Sequence, residues 1–183
     1  MAQSAVDAST VAASVSAETK RLKKRARQRR TMYLAQGASY IFDAAILLAY
    51  HLLGSTSIWA ATLYFLAGVG WTSATLALSE ANWNDRFKDH YLTVPQCVGS
   101  ASIQLLGMFL APEIGFYFAL VIFIVLGFGA LRMSSRQAGL VWTYATLGLT
   151  FLFVMTDKPI GLPMVTSAER SLALLCLVSA LGR

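Results

Sequence analysis

A chain of 183 residues that is 56% hydrophobic and 13% charged, with a mean hydropathy of +0.58, lies outside the composition of water-soluble globular domains. The formal net charge of +6 would suit a nucleic-acid binder, but eight of the fifteen Lys and Arg residues fall between Lys20 and Arg30, so the basicity is one local run and argues against nucleic acid as a partner. Two cysteines, Cys97 and Cys176, are too few for a disulfide framework, which sets redox chemistry aside.

Residues Met1 to Thr19 are rich in Ala, Ser, Thr and Val without a clear period, and no apolar run of signal-peptide length precedes the basic cluster. Residues 1–31 are therefore expected to form a basic, partly disordered cytoplasmic tail. Lys20, Arg21, Lys23, Lys24, Arg25, Arg27, Arg29 and Arg30 stand immediately before the first apolar segment, where the positive-inside rule makes them a topology anchor. Attraction to anionic headgroups adds on the order of 1 kcal/mol per residue at the surface.

Residues 32–183 hold six apolar segments, at about 33–53, 58–79, 95–111, 114–131, 138–156 and 168–183. Most approach the ~20 residues that cross a hydrocarbon core. Unpaired backbone groups are costly in lipid, and the segments lack the alternating pattern of barrel strands, so each is expected to be a helix. The fold class is all-α, a polytopic bundle of six transmembrane helices. Charges that played no part in placing the spans orient it. With the N-terminus inside, thirteen basic residues fall on the cytoplasmic side, whereas only Lys158 and Arg170 fall outside. Both termini are then cytoplasmic. Trp59 and Trp142, near expected helix ends, suit the interface, and Trp71 lies deeper between helices. The last segment is short, and it is either a terminal helix or continues into a cytoplasmic part of a longer chain.

Within the spans, Asp43 sits near the centre of the first, where an ionised carboxylate costs about 2.5–3.5 kcal/mol on insertion scales. Gln36, Tyr40, Asp43 and Tyr50 share one helix face and form a polar stripe that should point into the bundle, either to sense a ligand or proton or to fix packing. Thr72, Thr75, Ser100, Gln104 and Tyr144 are candidates to face it. Gly70 with Ala74, and Gly127 with Gly129, suggest close helix packing. His51 and His90 fall on opposite sides of the membrane and cannot share a metal, and no Cys/His cluster, phosphate loop or nucleophile–base spacing is present, so neither a metal nor a cofactor is expected.

The one long polar interruption is Asn82 to Gln96, between the second and third segments. Locally, Asp85 and Asp89 alternate with Arg86 and Lys88, and Thr93 is placed to cap the third helix with Pro95 in its first turn. Asn84, Arg86, Phe87, Asp89, Leu92, Thr93 and Gln96 give the pattern Asn-x-Arg-Phe-x-Asp-x-x-Leu-Thr-x-x-Gln. This resembles the loop of the six-helix membrane input region that precedes GGDEF diguanylate cyclase domains in bacterial proteins. The run from Phe128 to Gln137 is similar to that family's exit from its fourth helix. His90-Tyr91 departs from the family's usual Pro-Ser, and no GG(D/E)EF motif is present in these residues.

The resemblance implies a homodimeric sensory or anchoring module of the bacterial inner membrane, with the lipid bilayer and a cytoplasmic cyclase domain of a longer parent chain as partners. It implies cyclic di-GMP signalling without catalysis in these residues. Asn84, Arg86, Asp89, Thr93 and Gln96 would couple the helices to that domain. A small transporter or channel and a purely structural anchor are the alternatives.

Overall fold

The computed structural model describes residues 2–81, 83 and 92–182, and for residues 2–19, 21, 22 and 25 the backbone alone. Every regular element among them is helical: α1 (Ala2–Leu52), α2 (Ile58–Glu80), α3 (Thr93–Leu110), α4 (Gly115–Ala130), α5 (Ser135–Met155) and α6 (Ser167–Leu181), with a 3-10 turn at Pro112–Ile114 leading into α4. Five stretches are long and apolar enough to cross a bilayer: Ala26–Leu52, Ile58–Glu80, Thr93–Leu110, Pro112–Ala130 and Ser135–Met155. With 15 residues, α6 is about 22 Å long, short of the ~30 Å hydrocarbon thickness.

The expected segments match α2 to α6 within three residues at each end. The N-terminal region differs. Where a partly disordered tail is expected for residues 1–31, α1 runs unbroken from Ala2, so the expected boundary near Thr31 falls inside one helix. No Gly or Pro occurs before Gly37, and Ala, Glu, Lys, Arg and Gln, all good helix formers, dominate the stretch. Of the central polar stretch from Asn82 to Gln96, Asn82 and residues 84–91, among them Asn84, Arg86 and Asp89, lie outside the described residues.

Helix starts follow side-chain chemistry. Ser57 caps α2 by accepting from the Trp59 amide, and two capping boxes, Ser134/Gln137 and Thr166/Glu169, open α5 and α6. Thr93, expected to cap α3, is instead its first residue. The cap is Leu92, whose left-handed backbone (φ 49°, ψ 44°) turns the chain into the helix one residue earlier. Pro95 then lies in the first turn, where a missing N–H leaves nothing unsatisfied.

The helices close into a ring in which α1 packs on α2, α2 on α3, α3 on α4, α4 on α6, and α6 back on α1. Helix α5 lies outside, against α3 and α4. The ring is inside-out relative to a soluble fold: Leu66, Phe109, Phe123, Phe151 and Phe153 are exposed on its outer surface, while Asp43, Gln104, Tyr64 and Tyr117 are buried. A surface of this kind suits lipid.

The buried face of α2 carries Ala61, Tyr64, Gly68, Thr72, Thr75 and Ser79, which leaves Gly70 and Ala74 exposed on the other side. The expected small-residue contact there is replaced by Gly68 against Tyr40 of α1 and by Gly99 of α3 against Trp71. A Cβ at Gly127 would also meet nothing, whereas one at Gly129 would meet Cys97 and Met133. Trp59 is exposed at the start of α2; α5 begins early enough to put the exposed Trp142 two turns inside its helix.

At the end of the bundle where α1 turns into α2, Glu169 ties two loops together. Its Oε1 accepts from Ser55 Oγ at 2.8 Å, and its Oε2 accepts from the amides of Val165 and Thr166 at 3.0 and 2.9 Å. Glu169→Gln leaves one oxygen to serve three donors. The chain should unfold at a lower temperature, because a helix cap and a bond to a charged group are both weakened. A thermal unfolding curve in detergent micelles no different from that of the unmodified chain would count against this clamp.

Candidate functional site

The stripe predicted on the first span does point into the ring, and a regular spacing places it there. Arg29, Tyr33, Gln36, Tyr40, Asp43, Leu47 and Tyr50 alternate at four and three residues along α1, which keeps them on one face. Tyr33, Tyr40, Asp43, Leu47 and Tyr50 are buried, as is Arg29 at 3% exposure. That arginine is turned inward from a run whose described neighbours Lys20, Lys23, Lys24, Arg27 and Arg30 are exposed. The Arg30–Glu80 pair, 3.9 Å apart and exposed on both sides, adds little.

Asp43 is fully buried at the node of the ring. Its Oδ2 accepts from the Tyr64 hydroxyl of α2 at 2.8 Å, and its Oδ1 accepts from the Tyr117 hydroxyl of α4 at 2.6 Å. Tyr64 in turn accepts from Gln104 Nε2 of α3 at 3.0 Å, and the Tyr117 and Ser179 hydroxyls, the latter on α6, are 3.2 Å apart. One carboxylate thus gathers side chains from all five helices of the ring. Hydrogen bonds from two phenols satisfy the group that would otherwise be most costly there. Ring contacts support this geometry, with Tyr40 edge-on to Tyr64 at 6.2 Å and Phe118 wedged between Tyr64 and Tyr117 at 5.4 and 5.6 Å.

The other members of the stripe serve separate contacts. Gln36 donates to Tyr40 at 3.1 Å and to Ser100 of α3 at 2.7 Å, and Tyr40 donates to Ser100 at 3.1 Å. Tyr50 meets the Cys176 thiol of α6. Of the candidates to face the stripe, Ser100 joins it and Gln104 reaches the Asp43 node. Thr72 and Thr75 bond back to carbonyls of their own helix, and Tyr144 is spent on Ser102 at 2.7 Å outside the ring. His51 closes its own loop by donating from Nδ1 to the Thr56 carbonyl at 2.9 Å. Among the described residues no three His, Cys, Asp or Glu side chains converge.

Tyr64, Tyr117 and Ser179 are the members that sequence reasoning missed. A tyrosine in mid-span is a signal of a buried partner, but the partner depends on which helices are neighbours.

Beside the node lies a cavity of about 700 Å³ between α1, α3 and α4, reaching Gly182 at the end of α6. In this region α1 approaches α3 and α4 only through side chains such as Gln36. Thr93 and Gln96, two of the expected coupling residues, line this cavity with Arg29 and Arg132 at one end. The volume falls in the range of ~300–1,000 Å³ typical of small-molecule sites. Comparisons of the chain with protein-family models, with characterised proteins and with solved structures found no match.

Proposed function

We propose that this chain is a multi-pass sensory or anchoring module of the bacterial inner membrane, with six spans and both termini in the cytoplasm. It acts as a homodimer to regulate or localise a cytoplasmic diguanylate cyclase domain in a longer parent chain, and performs no catalysis itself. The likeness of the loop after α2 to the input region of such cyclases supports the output, and the excess of basic residues on one side supports the orientation. The observation that carries the reading is the Asp43 node. A single buried carboxylate joins α1 to α2 and α4 directly, and to α3 and α6 through Tyr64 and Tyr117. A stimulus that binds two arrangements of the ring unequally would change this node, and α6 would carry the difference toward the cytoplasm.

Fusion of a diguanylate cyclase domain after Arg183 tests both parts. Cyclic di-GMP should accumulate in cells, since that domain finds GTP only in the cytoplasm. Asp43→Asn should shift output by about fivefold at equal protein level, the effect of ~1 kcal/mol on a two-state equilibrium. No product from a folded fusion would refute the orientation. Output indifferent to Asp43→Asn and to replacement of the helices by an unrelated dimeric anchor would refute sensing.

A further inference from the structure

The cavity between α1, α3 and α4 is neutral and rich in acceptors over its inner part, for reasons fixed by bonds already in place. Gln36 of α1 spends its amide nitrogen on Tyr40 and Ser100, at 3.1 and 2.7 Å, so its carbonyl oxygen is what the side chain has left to offer. Gln104 of α3, 2% exposed, is oriented the same way by the Asp43 node. Tyr64 gives its proton to Asp43, so toward Gln104 its oxygen acts as acceptor and the amide presents Nε2 to it. Oε1 of Gln104 is then left buried without a protein partner. Both glutamines line the cavity.

The facing wall is apolar. Gly107 of α3 lies against Phe118 of α4, and Cys97 of α3 against Gly129 of α4. That register sets Gln104 level with Val121, and the lining residues Val121, Val125 and Phe128 continue from there for about 10 Å. Gln96, whose amide is also buried without a protein partner, ends the apolar stretch. A buried acceptor with no donor is costly, and a charged head group at this depth would be costlier still. An anion would face carbonyl lone pairs, and an ammonium group would lose its hydration. The group that suits these oxygens is an uncharged O–H.

We propose that this cavity binds a neutral amphiphile with a hydroxyl head group, an alkyl alcohol in the simplest case. Its O–H donates to Gln104 Oε1, and its chain lies along Val121, Val125 and Phe128. Arg29 and Arg132, at the other end, take no part. The site requires no signalling output and does not rest on the cyclase reading.

The full chain in phosphatidylcholine nanodiscs, photolabelled with a decanol that carries a diazirine on its tail, provides the test. Label should saturate on α4 between Val121 and Phe128, as mapped by peptide mass spectrometry. Unlabelled 1-decanol should displace it about tenfold better than decyl methyl ether, which keeps the tail and lacks the donor. Decanoate should do no better than the ether. In Gln104→Leu the label should persist while the alcohol loses its advantage. Tyr64→Phe should narrow that advantage too, since the released amide can turn its N–H to the ether oxygen. Alcohol and ether of equal strength on the unmodified chain would overturn the site and leave water as the partner of Gln104. So would an advantage retained in Gln104→Leu, displacement led by decanoate, or label that never saturates and lies mainly on the outward-facing Phe123 and Phe151.

Discussion

Asp43→Leu is expected to be the most damaging single substitution in the ring, lowering stability by about 2–4 kcal/mol in detergent or bicelle unfolding. The estimate follows from what is left behind. Tyr64 and Tyr117 donate to the two carboxylate oxygens, and both hydroxyls are buried within the ring. Removing the acceptor strands the Tyr64 donor and leaves Tyr117 only the Ser179 oxygen at 3.2 Å, and a stranded donor costs about 1–3 kcal/mol. A leucine does relieve the cost of holding a carboxylate in the membrane, but the dispersed helices bear part of that cost too, so the relief does not offset the two lost bonds.

A combined variant separates cost from contribution. In Asp43→Leu/Tyr64→Phe/Tyr117→Phe the donors are removed with the acceptor, and most of the lost stability should return. Gln104 would then lack the Tyr64 oxygen that its Nε2 reaches at 3.0 Å, so recovery should be incomplete by about 1 kcal/mol. If the triple variant proves less stable than Asp43→Leu alone, the node contributes net stability. Recovery would instead mean that the node selects one helix arrangement over others, the property a two-state sensor needs. Unfolding midpoints of the three chains decide between these outcomes.

Much of this arrangement was legible in the sequence, for reasons particular to membrane segments. Apolar runs of helix length have no other stable form in lipid, so α2 to α6 could be placed within a turn, and polar residues are so rare in them that Gln36, Tyr40 and Asp43 marked the inner face of α1. The same stripe, followed backward at its four-and-three spacing, leads through Tyr33 to Arg29, and that spacing was the available signal for an inward arginine. Within eight neighbouring cations, charge alone could not single it out. Tyr117 and Ser179 were beyond reach for a different reason. Tyr117 meets Asp43, and Ser179 meets Tyr117, only because α1, α4 and α6 come together in the ring, and helix order in space leaves no mark on hydropathy. Thr93 was misplaced as a cap because a left-handed Leu92 is not a conformation that composition suggests.

The approach of α1 to α2 sets the second large effect, and two glycines two residues apart should respond in opposite directions. A Cβ at Gly68 would lie 2.6 Å from both Cβ and Cγ of Tyr40. Those atoms sit at the root of the Tyr40 side chain, so a rotamer change cannot clear them and the backbones of α1 and α2 must separate. Overpacking of this kind costs about 1–3 kcal/mol, against a gain in helix propensity of roughly 0.8–1 kcal/mol from replacing glycine. The steric term wins. Gly68→Ala should be destabilised by up to about 2 kcal/mol, and Gly68→Leu by more. A Cβ at Gly70 meets nothing within 4 Å, so only the propensity term acts and Gly70→Ala should be neutral or up to ~1 kcal/mol more stable. Separation at Gly68 also reaches the node, because Tyr64 lies one turn away on the same face of α2 and must span to Asp43 at 2.8 Å. Stretching that bond should make the Gly68→Ala and Tyr64→Phe losses less than additive in a double-mutant cycle. Additive losses, or a Gly70→Ala chain as weakened as Gly68→Ala, would show that α1 and α2 do not meet at this face.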